Sequence, residues 1–322
     1  MLNFNTDDLR PQDRFDHWCE VRGKTLFGVT IELERQQRSG FRGQFSAWKR
    51  GGAVVSEMQA SSYRIGRSAA DIARRPENSL CIGMTLRGPG WLEAGRQPYQ
   101  RVGEGQITLQ YSDLPFHAVP KRSDGFEFRL LKIPIAGEIA LGAATHDLHA
   151  AMLPQSAPFA RPLTALFAAL TNRATSLDDP TRDVEHAARL VLLARGRLPA
   201  GLPECRAALR TGFFHAATEI MSRDMHRPAL SPEAVARELG ISVRQVHVLF
   251  EPTGLSFMRT LTALRVREAA RRLQAEARMS VADIAFDCGF ESLSVFYRAF
   301  QKAYDMSPRE HRMAGLARPA TD

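Results

Sequence analysis

The chain has 322 residues, 44% hydrophobic and 24% charged, which suits two soluble domains with sizeable cores. No apolar run approaches the ~20 residues of a membrane span, and MLNFNTDDLRPQDRF has neither a basic n-region nor an apolar h-region, so the expectation is a cytoplasmic protein without a membrane partner. The net charge of +8 points to a polyanionic partner, yet from Thr211 onward 15 Lys and Arg face 13 Asp and Glu, so a case for nucleic acid must rest on where particular basic residues sit.

In chain order, LRPQDRFDHWCEVRGKTLFG reads as a helix in which Phe15, Trp18 and Val21 or Arg22 recur at helical spacing. From about residue 40 to 135 the pattern turns to short strands broken by Gly, Pro and Asp: SLCIGMTL, WLEAGRQPYQRV, GEGQITLQY and FEFRLLKIPI. Their regular spacing predicts an all-β sandwich or barrel. From Ile139 onward the strand signal stops. RPLTALFAALTNRA and TRDVEHAARLVLLARGRL read as amphipathic helices, with Asp178 or Asp179 as cap and Pro180 early in the second. Leu163, Leu166, Phe167 and Leu170 form one apolar stripe, and Val184, Ala188, Val191 and Leu192 another; either packs on its own domain or lines a dimer seam. GRLPAGLP marks a boundary, giving a first domain over 1–195, a linker over 196–210 and a second domain over 211–315. The polar tail ARPATD is expected to fray. Cys19, Cys81, Cys205 and Cys288 lack any CxxC spacing, which predicts reduced, mostly buried thiols rather than a zinc site or disulfides.

The helical half contains a repeat. LSPEAVARELGISVRQVHVLF aligns with MSVADIAFDCGFESLSVFYRAF: Ser231 with Ser280, Val235 and Ala236 with Ile284 and Ala285, Gly240 with Gly289, and Phe250 with Phe300 after one insertion. In each unit a serine caps the first helix, a glycine permits the left-handed turn residue, and Ser242 or Ser292 caps a second helix. Helix, glycine turn, helix of this length is the pattern whose second helix enters a DNA major groove. The helix between the units, about 255–274, would span about 30 Å, close to the ~34 Å turn of B-DNA. One helix can thus hold two readers, 231–250 and 280–300, on successive grooves.

With the second unit SVADIAFDCGFESLSVFYRAFQKAYDMSPREHR, the connector SFMRTLTALRVREAARRL and the SPREHR ending, the last hundred or so residues resemble the DNA-binding domain of AraC/XylS-type transcription regulators. The resemblance implies base-facing residues at Arg244, His247 and Val248 in the first unit, and at Ser294, Tyr297 and Arg298 with Leu293 beside them in the second. Arginine can pair with guanine O6 and N7, while Ser, His and Tyr reach base edges or phosphates. Val248 departs from a commonly basic position and suits a thymine methyl; His311 replaces an aromatic of the final P-x-x-[FY]-R element and is expected to pack. Of the connector arginines Arg259, Arg265, Arg267, Arg271 and Arg272, some must point away from DNA.

The segment SLCIGMTLRGPGWLEAGRQPYQRVGEGQITLQYSDLPFHAV resembles the family's sensory domain, a cupin-like barrel. The resulting fold class is α+β: a cupin-like β-barrel followed by helices, then an all-α domain with two helix-turn-helix units. A small barrel holds one ligand in its mouth. Chemistry nominates Trp48, Arg64, Met84, Trp91, Tyr111 and His117 as ligand contacts. No HxH pair occurs, His117 stands alone, and His146 with His149 reads as a surface pair, so neither metal nor other cofactor is expected. The resemblance implies a ligand-responsive activator that is a homodimer, binds promoter DNA in the nucleoid, works with RNA polymerase, and takes a small-molecule effector. The alternatives are a metal-dependent cupin enzyme with a DNA-binding tail, which needs stoichiometric metal, and a ligand-independent DNA binder, which would show no ligand-induced thermal shift.

Overall fold

The computed structural model describes residues 1–95, 99–121, 124–135 and 145–316. The tail 317–322 and the start of the helical stretch, 139–144, lie outside these residues. The chain divides into two compact units, Met1–Gly212 and Phe213–Asp322. In the first, twelve strands form two antiparallel sheets among the described residues. The larger has the order β1 (Leu2–Asn5), β3 (Gly43–Arg50), β4 (Ala53–Ala60), β11 (Phe126–Pro134), β6 (Ser79–Arg87), β9 (Ile107–Tyr111), β12 (Ala151–Met152). The smaller has β2 (Thr30–Glu32), β5 (Arg64–Arg67), β10 (Phe116–Pro120), β7 (Gly90–Ala94), β8 (Gln100–Val102). This is the expected cupin-like architecture, with a short strand, β12, added beyond the point where the sequence signal ends; it is held by pairing with β9.

Strand alternation gives the larger sheet two different faces. Leu80 and Ile82 of β6, Leu109 of β9, and Leu131 and Ile133 of β11 point to one side, where they pack with the helices α4 (Ala160–Thr171) and α5 (Pro180–Ala194). The other face looks toward the smaller sheet. Asp179 caps α5 through the Arg182 amide, and Pro180 opens it, as the sequence predicts. All eight residues of the two helical stripes are fully buried in this same core, each leucine contributing about 1.5–3 kcal/mol. The stripes are therefore consumed within their own unit and are not a dimer seam.

The first unit opens with α1 (Arg14–Trp18), which continues as a wider, π-type coil over Cys19–Phe27. Phe15, Trp18 and Arg22 face inward; Trp18 sits among Phe41, Phe45 and Tyr63. Two short helices, α2 (Arg35–Arg38) and α3 (Ala69–Arg74), link strands. Cys81, Cys205 and Cys288 are buried free thiols, and burial pushes Cys81 up to about 11, so it stays protonated.

The expected linker over 196–210 is largely structured. Helix α6 (Pro203–Asp224) begins inside it, and Cys205 and Ala208 are fully buried against the first core, with Leu198 and Leu202 packed beside them. Breakers at Gly196, Pro199 and Pro203 interrupt the helices without freeing the chain. Nearby, His186 is buried on α5 with Nδ1 at 2.8 Å from the Thr211 hydroxyl. Burial, with Arg182 adding repulsion, lowers its pKa below the ordinary imidazole value. The unfolded chain then binds this proton more readily than the folded one, so the contribution of His186 is full above about pH 6.5 and declines as pH falls through that value. Melting from about pH 7.5 to about pH 5.5 should lower Tm more in the wild type than in His186→Gln; equal slopes would refute the assignment.

The second unit is helical: α7 (Pro232–Leu239), α8 (Val243–Phe250), α9 (Phe257–Ala275), α10 (Val281–Asp287), α11 (Leu293–Tyr304) and α12 (Pro308–Leu316). The repeat is realised as two helix-turn-helix units, α7–α8 and α10–α11, with both α8 and α11 packed on α9.

Candidate DNA-reading surface and effector cavity

Each reading helix is set by the same local chemistry. The Ser231 and Ser280 hydroxyls accept from the Ala234 and Asp283 amides, starting α7 and α10. Ser242 accepts from the Gln245 amide, while the Gln245 side chain accepts from the Ser242 amide, a reciprocal cap that starts α8. Ser292 accepts from Val295 at the start of α11. The turn glycines have φ of +67° at Gly240 and +84° at Gly289. Their demands differ: Gly240 has open space around it, whereas a Cβ at Gly289 would run into the Met225 carbonyl oxygen.

Once the serine caps are superposed, Arg244, His247 and Val248 correspond to Ser294, Tyr297 and Arg298 with no gap. Val246, Leu249 and Phe250, like Phe296 and Phe300, are buried on the opposite side. Phe296 meets Phe290 at 5.1 Å and Phe300 at 5.5 Å between ring centroids. Arg244, His247, Ser294, Tyr297 and Arg298 are exposed and Val248 half-exposed. Neither Arg244 nor Arg298 has an ion-pair partner among the described residues; Arg298 Nε donates only to the Ser294 carbonyl of its own helix, at 3.3 Å. Leu293 is placed differently: as the first residue of α11 it turns back and packs, half-buried, on the Phe296 cluster. Its repeat counterpart, Val243, is also half-buried; the available signal in the sequence was the shared apolar residue directly after each serine cap. Val295, left out of the sequence assignment, is 46% exposed on α11.

The connector arginines separate by partner. Arg265 is buried, donating to the Met225 and Arg227 carbonyls, both at 2.7 Å, and so ties α9 to the segment after α6. Arg271 pairs with Glu268, and Arg272 with Glu276 and Asp287. Arg259 and Arg267 are exposed with no ion pair among the described residues. His311 packs its ring on Phe300 and Tyr304, as expected.

In the first unit a cavity of about 210 Å³ lies between the two sheets. Its walls are largely apolar, with Phe27, Ile65, Leu92, Phe116, Phe126 and Phe128 among them, and polar groups come from Thr85, Thr108, Gln110 and Ser112. Of the six residues nominated from sequence, only Trp91 lines it. Met84 and Tyr111 sit on the cavity-forming strands β6 and β9 but on the opposite face, packed with the helices. Cys81, Gly83, Thr85, Thr108 and Gln110 take the inward positions, a one-residue change of register. Arg64 and His117 point to solvent from β5 and β10, and Trp48 packs outside under the Arg173 guanidinium, 4.0 Å from its ring. His146 is exposed against the edge of Tyr111. Among the described residues no three His, Cys, Asp or Glu converge on a metal-sized space.

Four charged residues line the cavity: Arg22, Arg67, Glu77 and Lys132. Arg67 is 2% exposed and pairs with Asp113 at 3.0 Å, while also donating to the Phe27, Gly28 and Arg75 carbonyls. Burial raises the Asp113 pKa, but the Asn78 and Glu77 amides, Arg67 and Ser112 outweigh it and hold the carboxyl below its usual range. Lys132 pairs with Glu77, which also meets Arg75. Sequence reasoning missed Arg22 and Arg67; the signal was a basic residue at an inward position, Arg22 in the Phe15–Trp18 stripe.

The first unit is a double-sheet fold with an internal cavity, and the second carries paired helix-turn-helix motifs. An AraC-like ligand binding domain matches residues 60–191 and a helix-turn-helix domain matches 235–314, together more than half of the chain. The chain belongs to the AraC family of transcriptional regulators. It is 34% identical over 135 residues to the HTH-type transcriptional activator RhaS of Enterobacter sp. (strain 638), covering 41% of this chain and 45% of that one. It is 36% identical over 115 residues to the HTH-type transcriptional regulator GlxA of Rhizobium meliloti (strain 1021), covering 34% and 35%. The matches thus span less than half the length of these curated relatives. Among solved structures, the AraC-like transcriptional activator CuxR aligns over 89% of this chain and 99% of its own, with 20% identity and a TM-score of 0.43. No helix among the described residues is long and apolar enough to cross a membrane.

Proposed function

We propose that this protein is a sequence-specific transcription regulator that binds promoter DNA through two successive major grooves and responds to a small molecule held in the first unit. The observation that carries the reading is the pair of serine-capped reading helices on one connector, each presenting three corresponding outward residues opposite a buried aromatic or aliphatic clamp. Arg244 and Arg298 are the guanine-pairing candidates; Val248 and Val295 suit thymine methyls; Arg259 and Arg267 are the connector's candidates for phosphate. Activation through RNA polymerase and pairing into a homodimer belong to the same reading, supported by family membership and by the names of the relatives. A regulator rather than a cupin enzyme is favoured by the apolar character of the cavity and by the family.

Arg298→Ala should weaken binding to the cognate site by about 1–3 kcal/mol, roughly five- to 150-fold, and relax preference at one base pair. Anisotropy titration against DNA recovered by footprinting the gene's own upstream region measures this. Unchanged affinity would remove Arg298 from the reading edge.

A further inference from the structure

Among the described residues, Arg22 is the cavity charge that has no counter-charge. It is 5% exposed, and it reaches the cavity from the π-type coil that follows α1. Its Nη2 meets only the Met58 thioether, at 3.3 Å, and its guanidinium carbon lies 4.9 Å from the Phe27 ring centroid and 6.0 Å from that of Tyr63. Its Nε and Nη1 are buried with no acceptor. No carboxylate stands within ion-pair distance among the described residues, whereas Arg67, Lys132 and Glu77 all have partners. An unpaired buried cation is costly, and the aromatic faces offset only part of that cost.

We infer that the effector is a small monocarboxylate with an apolar body, whose carboxylate is received by the Arg22 guanidinium. This rests on reading the first unit as the effector domain. A planar guanidinium matches the two oxygens of a carboxylate. A doubly charged phosphate would bring a second negative charge into an apolar cavity with one free cation among its described residues. The space, about 210 Å³, exceeds the roughly 150 Å³ cavity that holds one benzene ring, so the body is about one aromatic ring with a short substituent, or an aliphatic chain of equal size. Phe27, Phe116, Phe126 and Phe128 provide its walls. Thr85 and Gln110 can meet a hydroxyl on it.

The test uses the full chain and its tryptophan fluorescence, since Trp18, Trp48 and Trp91 all lie in the first unit. Benzoate, phenylacetate and hexanoate are titrated beside their primary amides and inorganic phosphate. At least one carboxylate should raise the thermal midpoint while its amide and phosphate do not. Arg22→Met should leave the unliganded midpoint no lower than wild type, because it removes an unpaired buried charge, and should weaken the responding carboxylate about thirtyfold or more. Arg22→Lys should keep the preference for carboxylate over amide with reduced affinity. The inference is overturned if no carboxylate responds, if the amide matches its acid, if Arg22→Met keeps the response, or if its unliganded midpoint collapses, marking Arg22 as a structural cation. Site-specific DNA binding measured on the same preparations distinguishes the two readings: its persistence without a carboxylate response defeats this inference alone, and its absence defeats the regulator reading.

Discussion

Phe296→Ala is expected to abolish site-specific DNA binding while leaving the first unit folded. Phe296 is fully buried and sits at the centre of the second helix-turn-helix, touching Phe290, Phe300 and Tyr297. Truncating such a ring costs about 3–5 kcal/mol, a large part of the 5–15 kcal/mol that holds a typical domain. Helix α11 then loses the contact that fixes its angle to α10, and Ser294, Tyr297 and Arg298 lose their common orientation. Because all three tryptophans belong to the first unit, the two units can be followed separately. Far-UV circular dichroism should show partial loss of helix on mild heating, while the tryptophan-monitored midpoint stays at the wild-type value. Retention of wild-type DNA affinity would show that the aromatic clamp does not set the reading geometry.

Asp113→Ala should act on the other unit. Asp113 is 10% exposed and accepts from Arg67 Nη2 at 3.0 Å, from the Asn78 amide at 2.8 Å, and from the Glu77 amide and Ser112 hydroxyl. Removing the carboxylate strands Arg67 as a buried cation, and breaking a buried pair in this way costs about 3–5 kcal/mol. The tryptophan-monitored urea midpoint should fall accordingly, with DNA-unit helicity unaffected. The pH dependence has a definite sign. The folded pKa of Asp113 is depressed, so its contribution is present above the unfolded value, about 3.9, and is lost as pH falls toward the lower folded value. Asp113→Asn, which keeps an acceptor without the charge, should be intermediate at neutral pH and lack this acid limb. An unaltered midpoint in Asp113→Ala would mean that solvent compensates Arg67.

The helical half was legible because its rules are local. Serine caps, turn glycines and apolar spacing within ten residues fix each helix-turn-helix, and the internal repeat supplied a second copy against which to check the first. Leu293, set beside the reading edge from sequence, is half-buried, as is its counterpart Val243; both are apolar residues at the first position of their helices. The strands β1, β2 and β12, outside the 40–135 stretch, were not legible. Each is two to four residues long, and such segments become strands through hydrogen bonds to a neighbour rather than through their own composition.

The ligand residues mark the limit most clearly. The sequence by itself determined a double helix-turn-helix, because caps, turn glycines and apolar spacing are local, and the family resemblance then pointed to Arg244, His247, Val248, Ser294, Tyr297 and Arg298 as the outward residues of the second helices. It also placed short strands between residues 40 and 135. Only the tertiary structure decided which face of β6 and β9 looks into the cavity, since both faces of that sheet are buried and the usual contrast between apolar and polar positions is lost. Met84 and Tyr111 therefore fell one residue out of register. The tertiary structure also decided that Arg67 has an ion-pair partner and Arg22 has none among the described residues, because ion pairing is settled by residues such as Asp113, distant in sequence, that folding does or does not bring within reach.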